Sequence, residues 1–106
     1  MSQTISILGT EYNIAVDDTL EKTNCDGLCK EYEKQITIRS VEAMLCDDDS
    51  TETKKKRYDE VLRHEIIHAF FSESGLDDYS NNEQLVNYLA IQFPKMLKAF
   101  KEVGCI

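Results

Sequence analysis

The spacing of hydrophobic positions changes once along the chain, across a polar stretch at residues 46 to 52. Before it, the apolar residues come in short, partly alternating runs. "TISILG" and "EYNIAV" read as strands with Gly9-Thr10 as the turn between them. "DGLCKEYE" and "KQITIRS" make a second pair, with Asp26-Gly27 opening its first member. Ile36 and Ile38 alternate with Thr37 and Arg39, the period expected when one face of a sheet is covered. After the polar stretch the period becomes helical. A first helix is predicted from about Thr53 to Ser74, stopping at Gly75, which suits a left-handed cap. A second helix is predicted from near Ser80, where "SNNE" offers an N-cap serine with a glutamate three residues on. Leu85, Val86, Leu89, Phe93, Met96, Leu97 and Phe100 give that helix an apolar face, and Pro94 should kink or break it. The pattern predicts an α+β fold: a small, mostly antiparallel sheet followed by a helix and a second helix packed on it.

Composition narrows the class. The chain of 106 residues suits one domain, residues 1–106, and is too short for two that each bury a useful core. With 42% hydrophobic and 30% charged residues it reads as a soluble globular protein rather than a disordered chain. No apolar run reaches the roughly 18 residues of a membrane span. The start, "MSQTISILGTEYNIAV", lacks the basic opening and uninterrupted apolar core of a secretory signal, which predicts a cytoplasmic protein. A net charge of −8 argues against a nucleic-acid partner, since phosphate binding relies on Lys and Arg. The one basic cluster, Lys54 to Arg57, follows the acidic run Asp47-Asp48-Asp49 and reads as the solvated start of the first helix. Cys25, Cys29, Cys46 and Cys105 read as reduced thiols. The spacing of Cys25 and Cys29 lacks the second pair that a structural zinc site needs.

The chemistry concentrates in "RHEIIHAFFSESG", residues 63 to 75, which holds both histidines of the chain. On a helix, Leu62, Ile66, Ile67, Ala69, Phe70 and Phe71 cover a little over half of the circumference. His64, Glu65, His68 and Ser72 share the rest. Residues four apart lie one turn apart on one face, so the two imidazoles can converge on one ion. Glu65 points beside that ion, where it can reach a water without being a ligand. This is the H-E-x-x-H arrangement of zinc peptidases, in which three protein ligands and a water surround the metal and the glutamate is the general base. With no further histidine, the third ligand is a carboxylate or thiol: Glu73, Asp77, Asp78, Glu83 or Cys105. Glu83 is the choice, because it shares a face with Val86, Asn87 and Ala90 that an antiparallel second helix could turn toward His64 and His68. The same glutamate is equally accounted for as the partner of Ser80 in a capping box. For the histidines, the plain alternative is a pair of satisfied core imidazoles.

"LRHEIIHAFF" followed by "NEQLVNYLA" resembles the ImmA/IrrE-type zinc metallopeptidases of phages and bacteria, and the chain is similar to their smallest, phage-encoded members. The resemblance spans about residues 4 to 94. It implies a minimal zincin-like domain of the gluzincin kind, in which a short sheet precedes the active-site helix and a following helix opens with E-x-x-x-N-x-x-A. Glu83, Asn87 and Ala90 stand at those positions, so the resemblance implies that Glu83 completes the zinc site. Larger members cut or inactivate a repressor-type regulator, which implies a protein or peptide substrate in the host cytoplasm. No histidine or arginine stands out to stabilise an oxyanion; Tyr79 and Tyr88 are candidates whose simpler role is packing.

Three functions are consistent with these residues. The first is a zinc-dependent peptidase in which His64, His68 and Glu83 hold Zn²⁺ and Glu65 moves the proton. The second is a zinc-binding interaction module that cuts nothing. The third is a helix pair with no metal, whose buried polar groups would each cost about 1–3 kcal/mol if left unpaired.

Overall fold

A computed structural model describes residues 2–23, 25–46 and 50–106, so the acidic run Asp47-Asp48-Asp49 lies outside the described residues. Strands β1 (Ser2–Ile7) and β2 (Thr10–Val16) form the first hairpin. Its turn is Leu8-Gly9 rather than Gly9-Thr10: both residues have positive φ, 52° and 86°, and Thr10 already pairs with Ile7. Positive φ at two successive residues matches the twist of a tight hairpin. Strands β3 (Gly27–Lys30) and β4 (Gln35–Ile38) form the second hairpin.

The two hairpins join through a parallel pairing of β2 with β4, giving the order β1-β2-β4-β3. The expected mostly antiparallel sheet is therefore a mixed one, with antiparallel pairs on either side of a parallel one. Backbone bonds from Asn13 N to Lys34 O and from Asp17 N to Ile38 O, both 2.9 Å, bracket the parallel ladder. As an inner strand, β4 is covered on both faces. Thr37 and Arg39 are buried along with Ile36 and Ile38, so the one-sided coverage expected of this strand does not hold. β3 is left as an edge.

After a 3₁₀ turn at Val41–Ala43, helix α1 runs over Thr51–Glu73. The Ser50 hydroxyl caps it by accepting from Thr53 N at 3.1 Å, and Gly75, at φ 75°, ends it. Val61, Glu65 and Ala69, four residues apart, form its most buried stripe. Val61 and Ala69 pack with Tyr12, Ile14, Ile36, Ile38 and Met44 in the core between sheet and helix. Each buried aliphatic side chain contributes about 1.5–3 kcal/mol by leaving water.

The basic start of α1 is neutralised by the chain's own acids: Lys55 pairs with Asp59 and Arg57 with Asp26 and Glu60. A short helix, α2 (Asp77–Ser80), occupies the connection, and α3 spans Glu83–Glu102. The N-cap of α3 is Asn82, whose Oδ1 accepts from Leu85 N at 3.1 Å, so Ser80 does not cap it. Pro94 does not break α3. It withholds the donor that Ala90 O would normally receive, and Arg63 Nε on α1 donates to that carbonyl instead, at 2.6 Å. Among the described residues, no helix is long and apolar enough to cross a membrane.

Candidate metal centre

One turn of α1 separates His64 from His68, and both rings project on the side where α3 begins. α3 runs back along α1, so that Glu83 meets the two histidines while Ala90 meets Arg63. The face of α3 that makes this approach is closed by small and branched residues, Val86 and Ala90, both essentially fully buried. Glu83 Oε2 lies 3.1 Å from His64 Nε2, Glu83 Oε1 lies 2.8 Å from His68 Nε2, and the two Nε2 atoms are 3.1 Å apart. Among the described residues, His64, His68 and Glu83 form the one cluster of such side chains whose ligand atoms could share an ion.

The donor set fits a divalent metal. A tetrahedral ion with bonds of 2.0–2.2 Å to nitrogen and oxygen keeps its ligand atoms about 3.3 Å apart, and one ligand atom from each of the three side chains can be chosen within 4.8 Å of the others. Two imidazole nitrogens and a carboxylate converge there, and acceptor lone pairs at such distances repel one another unless protons or a cation lie between them. Burial first, and then the neighbouring His68, hold the His64 ring below the usual imidazole range, against the opposing pull of Glu83 and Asn87. The neutral form favoured in this way is the one that ligates metals. Asn87, one turn beyond Glu83, lines the same cavity as His64, and Ser80 Oγ lies 3.4 Å from His68 Nδ1.

Glu65 stands beside the triad and outside it, with Oε2 4.0 Å from His64 Nε2. It belongs to the buried stripe of α1 and lies against the backbone of the edge strand. At Gly27 an added Cβ would meet Val61 Cγ1 at 2.8 Å, Glu65 Cγ at 3.0 Å and Glu65 Oε2 at 3.2 Å. Only glycine lets β3 approach this closely. Burial, reinforced by the carboxylates of Glu83 and Glu31, pushes the Glu65 carboxyl up to about 7; a cation on the triad would act in the opposite direction.

A cavity of about 450 Å³ opens onto these residues between β3, α1 and the start of α3. Among the described residues its lining is acidic, with Asp26, Glu31, Glu60, Glu65 and Glu83 against one cation, Arg57. Arg57 is already engaged, its Nε 2.8 Å from Asp26 and its Nη1 3.4 Å from Glu60.

The other residues weighed as a third ligand have different surroundings. Glu73 accepts from Tyr12 Oη and from Lys34 Nζ, both at 2.7 Å. Asp77, Asp78 and Cys105 are exposed and outside the cluster. Cys25 and Cys29 line the cavity and are not joined in a disulfide, and burial pushes the Cys29 thiol up to about 12. Tyr79 and Tyr88 are exposed and do not line the cavity.

Sequence reasoning missed Ser80 as a partner of His68 and Gly27 as the floor under Glu65. Ser80 carried a misleading capping signal, and Gly27 read as a turn marker. Comparison with models of protein families, with curated proteins and with solved structures finds no match for this chain.

Proposed function

We propose that the protein is a minimal zinc-dependent metallopeptidase of the ImmA/IrrE type, a zincin-like hydrolase of peptide bonds. The observation that carries this reading is the convergence of His64, His68 and Glu83 at metal-ligand spacing, with Glu65 beside them at an open cavity. His64, His68 and Glu83 would hold the ion. Bound zinc supplies Lewis acidity, making a water acidic near neutral pH and polarising a carbonyl. Glu65 accepts the proton of the attacking water and delivers it to the amine nitrogen as the C–N bond breaks. The edge strand β3 and the cavity beside it offer a place for an extended peptide. The substrate class is a protein or peptide, and a regulatory protein is the natural candidate from the resemblance.

The test is zinc content by elemental mass spectrometry and cleavage of a mixed peptide library, for wild type, Glu65→Gln and Glu83→Ala. Near one zinc per chain and detectable cleavage are expected of the wild type. Glu65→Gln should keep the metal and lose about 10²- to 10⁴-fold in turnover, while Glu83→Ala should lose metal. Full cleavage by Glu65→Gln sinks the mechanism.

A second reading, a zinc-binding interaction module without proteolysis, is favoured by the shortness of β3, four residues, which leaves little strand for substrate pairing. Zinc binding by the wild type without any cleavage across the library would select it.

A further inference from the structure

Ser80 closes the four-residue helix α2 and is buried, although its neighbours Tyr79 and Asn81 are exposed. Its hydroxyl reaches two atoms of one residue: His68 O at 3.2 Å and His68 Nδ1 at 3.4 Å. A hydroxyl has one proton and can accept through its lone pairs, whereas a backbone carbonyl can only accept. The Ser80 proton therefore goes to His68 O. Nδ1 then faces the oxygen's lone pairs and is placed to donate to them. A neutral ring with its proton on Nδ1 carries its free lone pair on Nε2, the atom that faces Glu83 Oε1 at 2.8 Å and His64 Nε2 at 3.1 Å.

We infer that Ser80 is a positioning residue for the metal centre: it sets the His68 tautomer that presents Nε2 to the triad, and it anchors the chain to α1 just before Glu83. One hydroxyl thus aligns two of the three ligands. The bond to His68 O fixes the end of α2 on the backbone of α1, and only Asn81 and Asn82 separate that anchor from Glu83. Partners of this kind, behind the ligands themselves, typically govern metal affinity by 10- to 100-fold. In its affinity arm this inference rests on the proposed zinc site; in its tautomer arm it does not.

The experiment compares wild type, Ser80→Ala and Ile7→Val, a core change in β1 remote from the triad that controls for lost stability. Zinc affinity is read by competition with a chromophoric chelator. The ring proton of His68 is located by ¹⁵N NMR at alkaline pH in metal-free Glu83→Ala protein, where the competing carboxylate is gone, with and without Ser80→Ala. Ser80→Ala should weaken zinc binding about tenfold or more, whereas Ile7→Val should leave it unchanged. The His68 proton should reside on Nδ1 and shift toward Nε2 when the hydroxyl is removed. Wild-type affinity in Ser80→Ala, or a ring proton that stays where it was, overturns the inference. If the wild type takes up no zinc, the metal reading fails and the ring proton alone decides the role of Ser80.

Discussion

At the scale of single residues, polar groups in this fold act through partners distant in sequence. Glu73 shows it most plainly. It ends α1, yet it accepts hydrogen bonds from Tyr12 in β2 and Lys34 in the β3–β4 turn. The Lys34 bond, followed by that of Tyr12, lowers its carboxyl to about 2, while burial and the same carboxylate push the Tyr12 phenol up. A carboxyl held below its unfolded value stabilises the fold at pH values above that unfolded value, and the gain disappears as pH falls through the folded one. Glu73→Gln should therefore lower the urea midpoint at neutral pH. The gap to wild type should narrow below about pH 4.5 and close near pH 2. Parallel pH profiles of the two midpoints would rule this out. Arg39 and Asp26 form another such point: Asp26 accepts from Leu45 N and Arg57 Nε, and Arg39 Nε donates to Cys25 O. Both were read from sequence as a strand alternation and a turn marker, because neighbours in the chain carry no record of partners brought by folding.

At the scale of elements, the limits of α1 were legible to within about two residues, because the change of period and the stop at Gly75 are local signals, whereas the Ser50 cap went unread within the polar stretch. Pro94 was legible as a missing donor and misleading as a break. Its consequence depends on α1, where Arg63 takes up the carbonyl that the proline leaves free. Arg63→Met should destabilise the protein by about 1.5–3 kcal/mol, the range for a hydrogen bond involving a charged group. In a Pro94→Ala background the same change should cost markedly less, since residue 94 can then donate to Ala90 O itself. A double-mutant cycle read by chemical denaturation checks this, and strictly additive costs would show that proline and arginine are unconnected. Along α3 the face that begins with Val86 and Ala90 continues through Phe93, Leu97 and Phe100. The first two residues are buried and both phenylalanines are exposed, so helical periodicity identified the face but not how far α1 covers it.

For the whole molecule, the decisive event is the docking of an edge strand and two helices around one turn of α1. Gly27 sets how closely β3 can approach. Gly27→Ala should cost about 1–3 kcal/mol through overpacking, and Val61→Ala should return part of it by relieving the 2.8 Å contact. If the protein is the zinc peptidase proposed above, the remaining contact, with Glu65, should leave the double variant impaired in peptide cleavage at unchanged zinc content. Wild-type turnover there would mean that Glu65 has room to spare. The sequence by itself determined the elements that rest on local chemistry: the hairpins, the span of α1, and the grouping of His64, Glu65 and His68 on one sector of that helix. Helical geometry alone puts residues four apart on one face, so nothing distant was needed. Tertiary structure alone decided the parallel β2–β4 pairing, the burial of both faces of β4, the fate of Pro94, the use of Ser80 and the arrival of Glu83 at the two imidazoles. Each depends on contacts between segments far apart in the chain, which register through packing and mutual hydrogen bonding rather than through any local pattern.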